Sequence, residues 1–270
     1  MKLLAILTGP NSTPACLDAA LLAAQAFPGA TIDALHVVVD PDQIVAAAEE
    51  IDFQKLREVT EGTAQERAEK VHAAFTAWQE RGGDTARWRT HVGPEEATVK
   101  GEAQAADVVA LALGTGRTMD AGDAFHAVVF ETGRPVIVAP AGWRRGARAR
   151  FAHIAVGLSD SEQARHAIEG AGPWLRAAER LTAIHVGERD DIALGHARLL
   201  AEAGVEPEMR VVARRKDMDL GSQIVAEANE AGADLLVSGA YRHNEFVEWI
   251  MGGTTRHLLH AANLPLLLSH

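Results

Sequence analysis

Cysteine is nearly absent from this chain, which has only Cys16 among its 270 residues. A single cysteine cannot form an internal disulfide and has no cysteine partner for a zinc site, so both arrangements are excluded. This usage fits a reducing compartment, and we expect a cytoplasmic protein. Because apolar Leu17, Ala19 and Ala20 follow Cys16, a small buried residue is favoured over a reactive thiol.

Long apolar runs and positive charge are also scarce. No apolar run approaches the ~20 residues needed to span a bilayer. The apolar start of the chain, residues 1–7, stops at Thr8, which favours a buried first strand over a signal peptide. The 26 Lys and Arg residues face 37 Asp and Glu residues, so the net charge is −11. We therefore expect neither nucleic acid nor a membrane as a partner, and the local basic stretch 143–150 is interpreted as a solvated linker.

What the chain does have is an internal repeat. Three short motifs recur in the same order in both halves of the sequence: 34–37 returns at 183–186, 106–109 at 233–236, and 134–138 at 264–268. Repetition of this length indicates duplication of a whole domain, and 270 residues can hold two cores. We expect a first domain at 1–142 and a second at 151–270.

Each half alternates short apolar runs with longer amphipathic segments. The runs are apolar on consecutive residues, which is typical of parallel strands buried on both faces. The pattern predicts an α/β fold with two tandem open parallel five-stranded sheets flanked by helices. The last strands, near 135–139 and 265–269, would be exposed edges, so we expect them to pair in an intrachain pseudo-dimer. The longer segment 41–83 is interpreted as a pair of crossover helices, with a partner-contacting surface as the alternative.

A glycine-rich loop in the second half carries the clearest chemical signal. Gly252, Gly253 and Thr254 lead directly into a helix, and Gly239 ends the preceding strand. A helix N-terminus offers unpaired N–H groups to a phosphate, and glycines allow close approach. The carboxyl edge of an open parallel sheet is where ligands bind. An ordinary loop with Thr254 as helix cap explains the local pattern about equally well.

Both halves of the chain resemble a tandem universal stress protein. The family pattern is Gly, two residues, Gly, nine residues, Gly, then Ser or Thr, and here this frame falls on Gly239, Arg242, Gly252 and Gly253. The resemblance implies a Rossmann-like, adenine nucleotide alpha hydrolase-like fold. It also implies ATP or AMP, with Mg, as the cofactor of this loop.

The chain departs from the family pattern at several of these positions. Arg242 replaces the second glycine, where it would crowd the phosphates or neutralise them, and Gly253 stands at the Ser/Thr position, with Thr254 after it. Ser159 stands where ATP-binding members carry an acidic residue, and Val186 matches the base-contacting position. The first half has no counterpart to the Gly-Ser/Thr cluster, so we expect a degenerate, structural half.

For function we expect a stress-response binding or regulatory protein whose C-terminal half binds an adenine nucleotide and signals to an unknown protein partner. A nucleotide-independent structural or partner-binding module is the alternative, and a homodimer stays open. Catalysis is the least favoured reading, because no base is placed for phosphoryl transfer; at most we expect slow ATP hydrolysis. The histidines form no metal-binding motif, and His36 and His185, at matching strand ends, are expected to share a structural role.

Overall fold

The computed structural model describes residues 1–44, 48–82, 85–114, 122–159, 161–188, 195, 198–201, 204, 206–239 and 254–269. The first half contains β1 (Lys2–Ile6), α1 (Thr13–Ala24), β2 (Thr31–Val38), α2 (Ala48–Glu61), α3 (Ala64–Gln79), β3 (Ala86–Val92), α4 (Glu95–Gln104), β4 (Val108–Leu113), α5 (Gly122–Glu131) and β5 (Val136–Pro140). The second half contains β6 (His153–Gly157), α6 (Glu162–Ala177), β7 (Arg180–Val186), β8 (Glu208–Val212), α7 (Leu220–Ala231), β9 (Leu235–Gly239), α8 (Thr254–Ala261) and β10 (Leu266–Ser269).

The ten strands form one sheet in the order β3-β2-β1-β4-β5-β10-β9-β6-β7-β8. Within each half the strands are parallel, as predicted. The two halves meet where β5 and β10 pair antiparallel, with Val138 opposite Leu266 and Val136 opposite Leu268. The expected pairing of the two last strands is therefore confirmed. It joins the predicted sheets into one continuous sheet.

Helices cover both faces of the sheet because both faces of its strands are apolar. Along β1, Leu3 and Ala5 point into the core shared with α1, α3 and α6, whereas Leu4 and Ile6 point into the core shared with α4, α5, α7 and α8. All four of these side chains are at most 1% exposed. Full burial of one such aliphatic side chain stabilises the fold by about 1.5–3 kcal/mol.

The predicted helix pair in the 41–83 segment is confirmed as α2 and α3. One stripe of α3 is buried at the spacing of an amphipathic helix: Ala64, Ala68, Val71, Phe75 and Trp78. The helix begins with a reciprocal capping box, in which the Glu66 amide donates to Thr63 Oγ1 (3.2 Å) and the Thr63 amide donates to Glu66 Oε2 (2.9 Å). The capping box fixes the turn between α2 and α3.

The two halves also contact each other through helices and through the connecting segment. Trp174 of α6 donates from Nε1 to the Ala23 carbonyl at the end of α1 (3.0 Å), and its ring packs edge-on against Phe27. In the connecting segment, Arg148 bonds Asp234 of the second half (2.7 Å). Residues 143–150 are mostly exposed, as expected of a solvated linker, and specific contacts also hold them to the folded halves. Among the helices that the structure describes, none is long and apolar enough to cross a membrane.

Candidate functional site

The strand order places a ligand crevice in the second half. The chain runs from β6 to β7 on one side and later returns as β9 on the other side of β6. Ligands of open parallel sheets bind where the strand order reverses, outside the carboxyl ends. Val156 of β6 is level with Ala183 of β7 and Val237 of β9, so the three strands end at the same edge.

The structure brings four of the predicted site residues to this edge or to the helix that follows it. Val186 and Gly239 are the last residues of β7 and β9 and are half-buried. Ser159 lies exposed two residues beyond the end of β6, and Thr254 is the exposed first residue of α8. The other three predicted site residues lie outside the described residues: Arg242, Gly252 and Gly253.

Gly239 lies directly against the first turn of α6. A Cβ atom at this position would come within 2.6 Å of the Ala164 amide nitrogen and within 2.6 Å of the Gln163 carbonyl carbon. Real Cβ atoms do not approach backbone so closely, so the position requires glycine for reasons of space. The amino end of α6, with its unpaired N–H groups and the positive end of its dipole, is thereby held beside the carboxyl end of β9.

A pair of serine hydroxyls lies at the start of α6. Ser161 caps the helix, its Oγ accepting from the Ala164 amide at 3.2 Å. Ser159 Oγ is 2.8 Å from Ser161 Oγ. Ser159 therefore adds a neutral hydroxyl to the crevice and no negative charge that would repel phosphates.

The amino end of α8 is fixed by close packing against α7. A Cβ at Gly221 would lie 2.6 Å from the Leu258 amide nitrogen. Asp219 caps α7 by accepting from the Ser222 amide at 2.8 Å, and its Oδ1 lies 3.4 Å from His257 Nδ1 of α8. Desolvation opposes ionisation of Asp219, but the bonds from Ser222 and the nearby His257 outweigh it and lower the Asp219 pKa. Two helix starts are thus locked side by side.

Two groups with strongly altered environments lie away from the crevice. Burial raises the pKa of the Cys16 thiol, which contacts the carbonyl oxygens of Ile6 and Ala110 in the core. The expectation that Cys16 is a buried, unreactive side chain is confirmed. Burial also lowers the pKa of His153, at the opposite, amino end of β6. Neither group can act as an acid or base for a ligand at the carboxyl edge.

The two equivalent histidines bond to different backbone carbonyls. His36 Nδ1 lies 2.7 Å from the Leu7 oxygen, whereas His185 Nε2 lies 2.7 Å from the Glu188 oxygen. The two histidines therefore share only a hydrogen bond to a nearby backbone carbonyl, made by different ring nitrogens. Among the described residues, His185 Nδ1 is buried without a hydrogen-bond partner.

A feature that sequence reasoning missed lies in the first half. A cavity of about 310 Å³ opens at the carboxyl edge of β1 and β2, beneath α2 and α3. The glycine-loop motif does not predict this cavity, because the charged residues that line the cavity belong to α2 and α3. The only available signal was the spacing of Arg67 and Lys70, which places two cations on one face of α3.

Comparison with known proteins agrees with this architecture. Residues 187–270 match the Universal stress protein family. A universal stress protein from Archaeoglobus fulgidus DSM 4304 is 17% identical with a TM-score of 0.67, and the match covers 99% of this chain and 95% of that one. A protein of unknown function from Pseudomonas aeruginosa PAO1 is 14% identical with a TM-score of 0.51, and the match covers 99% of this chain and 92% of that one. At these identities the likeness shows the fold alone.

A universal stress protein in complex with cAMP is 21% identical; the match covers 44% of this chain and 97% of that one, and its TM-score of 0.39 supports no argument. No curated protein matches the chain. The resemblance stated from the Gly239 loop is confirmed at the level of the family. Residues 187–270 thus resemble the universal stress protein family, and over its whole length the chain has the fold of a solved universal stress protein.

Proposed function

We propose that the chain is a stress-response binding protein of two tandem domains, 1–142 and 151–270, and that the second domain binds an adenine nucleotide. The observation that carries the proposal is the convergence at the strand-order reversal in the second half. Gly239 holds the start of α6 against the strand ends, and Thr254 begins α8. Helix starts of this kind bind phosphate through backbone N–H groups.

Each described residue has a role in this proposal. The adenine base lies over the end of β7 at Val186. The phosphates lie at the start of α8, where Thr254 offers a hydroxyl. Because Ser159 brings a hydroxyl and no carboxylate, an accompanying Mg²⁺ would take its ligands from the phosphates and from water.

The proposed action is a signal rather than a reaction. In this proposal nucleotide binding is signalled to a protein partner through residues 242–251, which lie outside the described residues. Fast phosphoryl transfer would need a base beside the phosphates, and neither Ser159 nor Thr254 is one. We therefore expect hydrolysis of ATP to be slow at most.

Calorimetric titration with ATP and with AMP, each with and without Mg²⁺, tests the proposal. A Gly252→Trp variant blocks the loop, and a Gly101→Trp variant is the matched control, because Gly101 lies exposed on α4 with open space around it. We expect ATP to bind the wild type and the control alike, and the blocked variant much more weakly. Equal binding by all three proteins would mean that ATP binds somewhere other than this loop.

A second candidate function is favoured by one observation at the sheet edge. Met209 and Val211, on the outermost strand β8, are 42% and 47% exposed. Within the part of the chain that the structure describes, β8 pairs only with β7, and neighbouring apolar side chains on such an edge are a site for association. A nucleotide-independent module would use this edge to bind a partner or a second copy. Light scattering of the wild type and of Val211→Lys distinguishes self-association, which the lysine would abolish, from a monomer.

A further inference from the structure

The cavity in the first half lies at the strand-order reversal of that half. β1 lies between β2 and β4, and the cavity opens beyond the carboxyl ends of β1 and β2. Residues 8–11 follow β1 and form one wall, and Val37 and Val39 at the end of β2 form another. Its volume of about 310 Å³ suits a small molecule.

The roof of the cavity is fixed by Arg67. Its guanidinium donates to the Gly62 carbonyl (2.8 Å), between α2 and α3, and to the Val39 carbonyl (3.3 Å), just after β2. One side chain thus ties the turn between the two helices to the sheet. Together with the capping box of Thr63 and Glu66, this contact makes the cavity a preformed space under a fixed cover.

Positive charge converges on the cavity in a chain that is otherwise acidic. Among the described residues its lining includes three cations, Arg57, Arg67 and Lys70, and two carboxylates, Glu61 and Glu95, so these side chains carry a formal charge of 3 − 2 = +1. The whole chain carries −11. Arg57 pairs with Glu61 at 2.8 Å, and its side chain is only 18% exposed. Lys70 donates to the Glu61 carbonyl at 2.9 Å and lies at the solvent end, where its ammonium has further N–H donors.

At the buried end, His36 offers a hydrogen-bond acceptor. Its Nδ1 lies 2.7 Å from the Leu7 carbonyl, which can only accept, so Nδ1 carries the proton. Burial lowers the His36 pKa against the opposing effect of that bond, and the charges of Arg67 and Arg57 lower it further. The ring is therefore neutral near pH 7, and Nε2 has a lone pair.

Most of the remaining side chains of the lining are apolar, among them Val37, Val39, Ala64 and Val71, and Thr8 and Asn11 add two polar ones. A net charge of +1 is neutralised by one negative charge, which favours a monoanion over a polyphosphate. The complementary ligand therefore has a carboxylate at one end, an apolar body, and an O–H or N–H donor at the other end.

We propose that the first half is a ligand-binding half whose cavity takes a small hydroxylated organic monocarboxylate. The carboxylate lies between Lys70 and the two arginines, the apolar body lies against the valines, and the hydroxyl donates to His36 Nε2. This site does not depend on the nucleotide site of the second half. It gives the 41–83 helices a binding role beyond covering the sheet.

The test uses the full chain with 4-hydroxybenzoate as the probe. The uncharged 4-hydroxybenzamide keeps its shape, and benzoate lacks the hydroxyl donor. We expect 4-hydroxybenzoate to bind roughly tenfold more tightly than the amide. Binding should shift the His36 Nε2 resonance in ¹⁵N-histidine spectra, and benzoate should shift it less.

Variants separate this site from the rest of the protein. Lys70→Gln should weaken binding of 4-hydroxybenzoate by about threefold or more. The matched control is Lys100→Gln on α4, where Lys100 pairs with Glu131 outside the cavity, and it should bind as the wild type does. Gly252→Trp should also leave this binding intact, even though it blocks the proposed nucleotide loop.

Several results would overturn the proposal. They are equal affinity for the acid and the amide, unchanged affinity in Lys70→Gln, or no binding of any probe at roughly 10 mM. Competition by inorganic phosphate at the same concentration as 4-hydroxybenzoate would assign the cavity to phosphate instead. Loss of binding in Gly252→Trp would place the probe in the second half.

Discussion

Alanine at position 221 is expected to push apart the two helices that carry the candidate site. The added Cβ would lie 2.6 Å from the Leu258 amide nitrogen and 2.9 Å from His257 Cβ, and still closer to the Thr254 carbonyl oxygen. Two of these three neighbours are backbone atoms of α8, so no side-chain rotation relieves the contact. Overpacking of this kind costs about 1–3 kcal/mol in free energy of unfolding.

Helix propensity alone predicts the opposite sign, since Gly→Ala within a helix ordinarily stabilises by up to about 1 kcal/mol. Gly101→Ala is the matched control, because Gly101 is exposed within α4 and a Cβ there meets nothing within 4 Å. Urea unfolding followed by circular dichroism should give a lower midpoint for Gly221→Ala and a slightly higher one for Gly101→Ala. A Gly221→Ala protein as stable as the wild type would refute the close packing of α7 on α8.

Three further predictions rest on contacts described above. Gly239→Ala should lower the free energy of unfolding by about 1–3 kcal/mol, measured with urea, and should weaken ATP binding measured by calorimetry. Normal binding in a stable variant would contradict the close approach of Gly239 to α6. Burial lowers the folded-state pKa values of His36 and His153, so the folded protein binds fewer protons than the unfolded chain, and its free energy of unfolding should fall as pH drops below about 6.5. In a His36→Gln, His153→Gln double variant the urea midpoint should decrease less between roughly pH 8 and pH 5 than in the wild type. An equal decrease in both proteins would argue against neutral buried rings. Trp174→Phe keeps an aromatic ring beside Phe27 but removes the bond to the Ala23 carbonyl and part of the buried indole, so it should cost at least about 1 kcal/mol in free energy of unfolding by urea. No loss would mean that this side chain does not help to join the halves.

The strands and the joining of the two halves were predictable because each depends on a repeating apolar pattern. Short apolar runs predicted five parallel strands in each half, and the longer segment 41–83 predicted the helix pair that contains α3. The pairing of β5 with β10 followed from the need to cover two exposed edges. These features depend on which residues are buried, and the positions of apolar residues in the sequence indicate that directly.

The site was less predictable because it depends on distances between segments far apart in sequence. Gly239 was singled out as the end of a strand, but its contact with α6 requires knowledge of where that helix lies. The cavity of the first half was missed because its cations come from α2 and α3, far along the chain from the strand ends they face, and no motif links them. From sequence alone, charged residues on an inserted helix are expected to face solvent. Only the fold shows that these charged residues line a cavity.

The most direct test of the central claim is hydrogen–deuterium exchange of the full chain with and without saturating ATP. We predict slower exchange in residues 239–256 of the second half and no change around the cavity under α2 and α3. Unchanged exchange in residues 239–256 at saturating ATP would contradict a nucleotide-responsive loop.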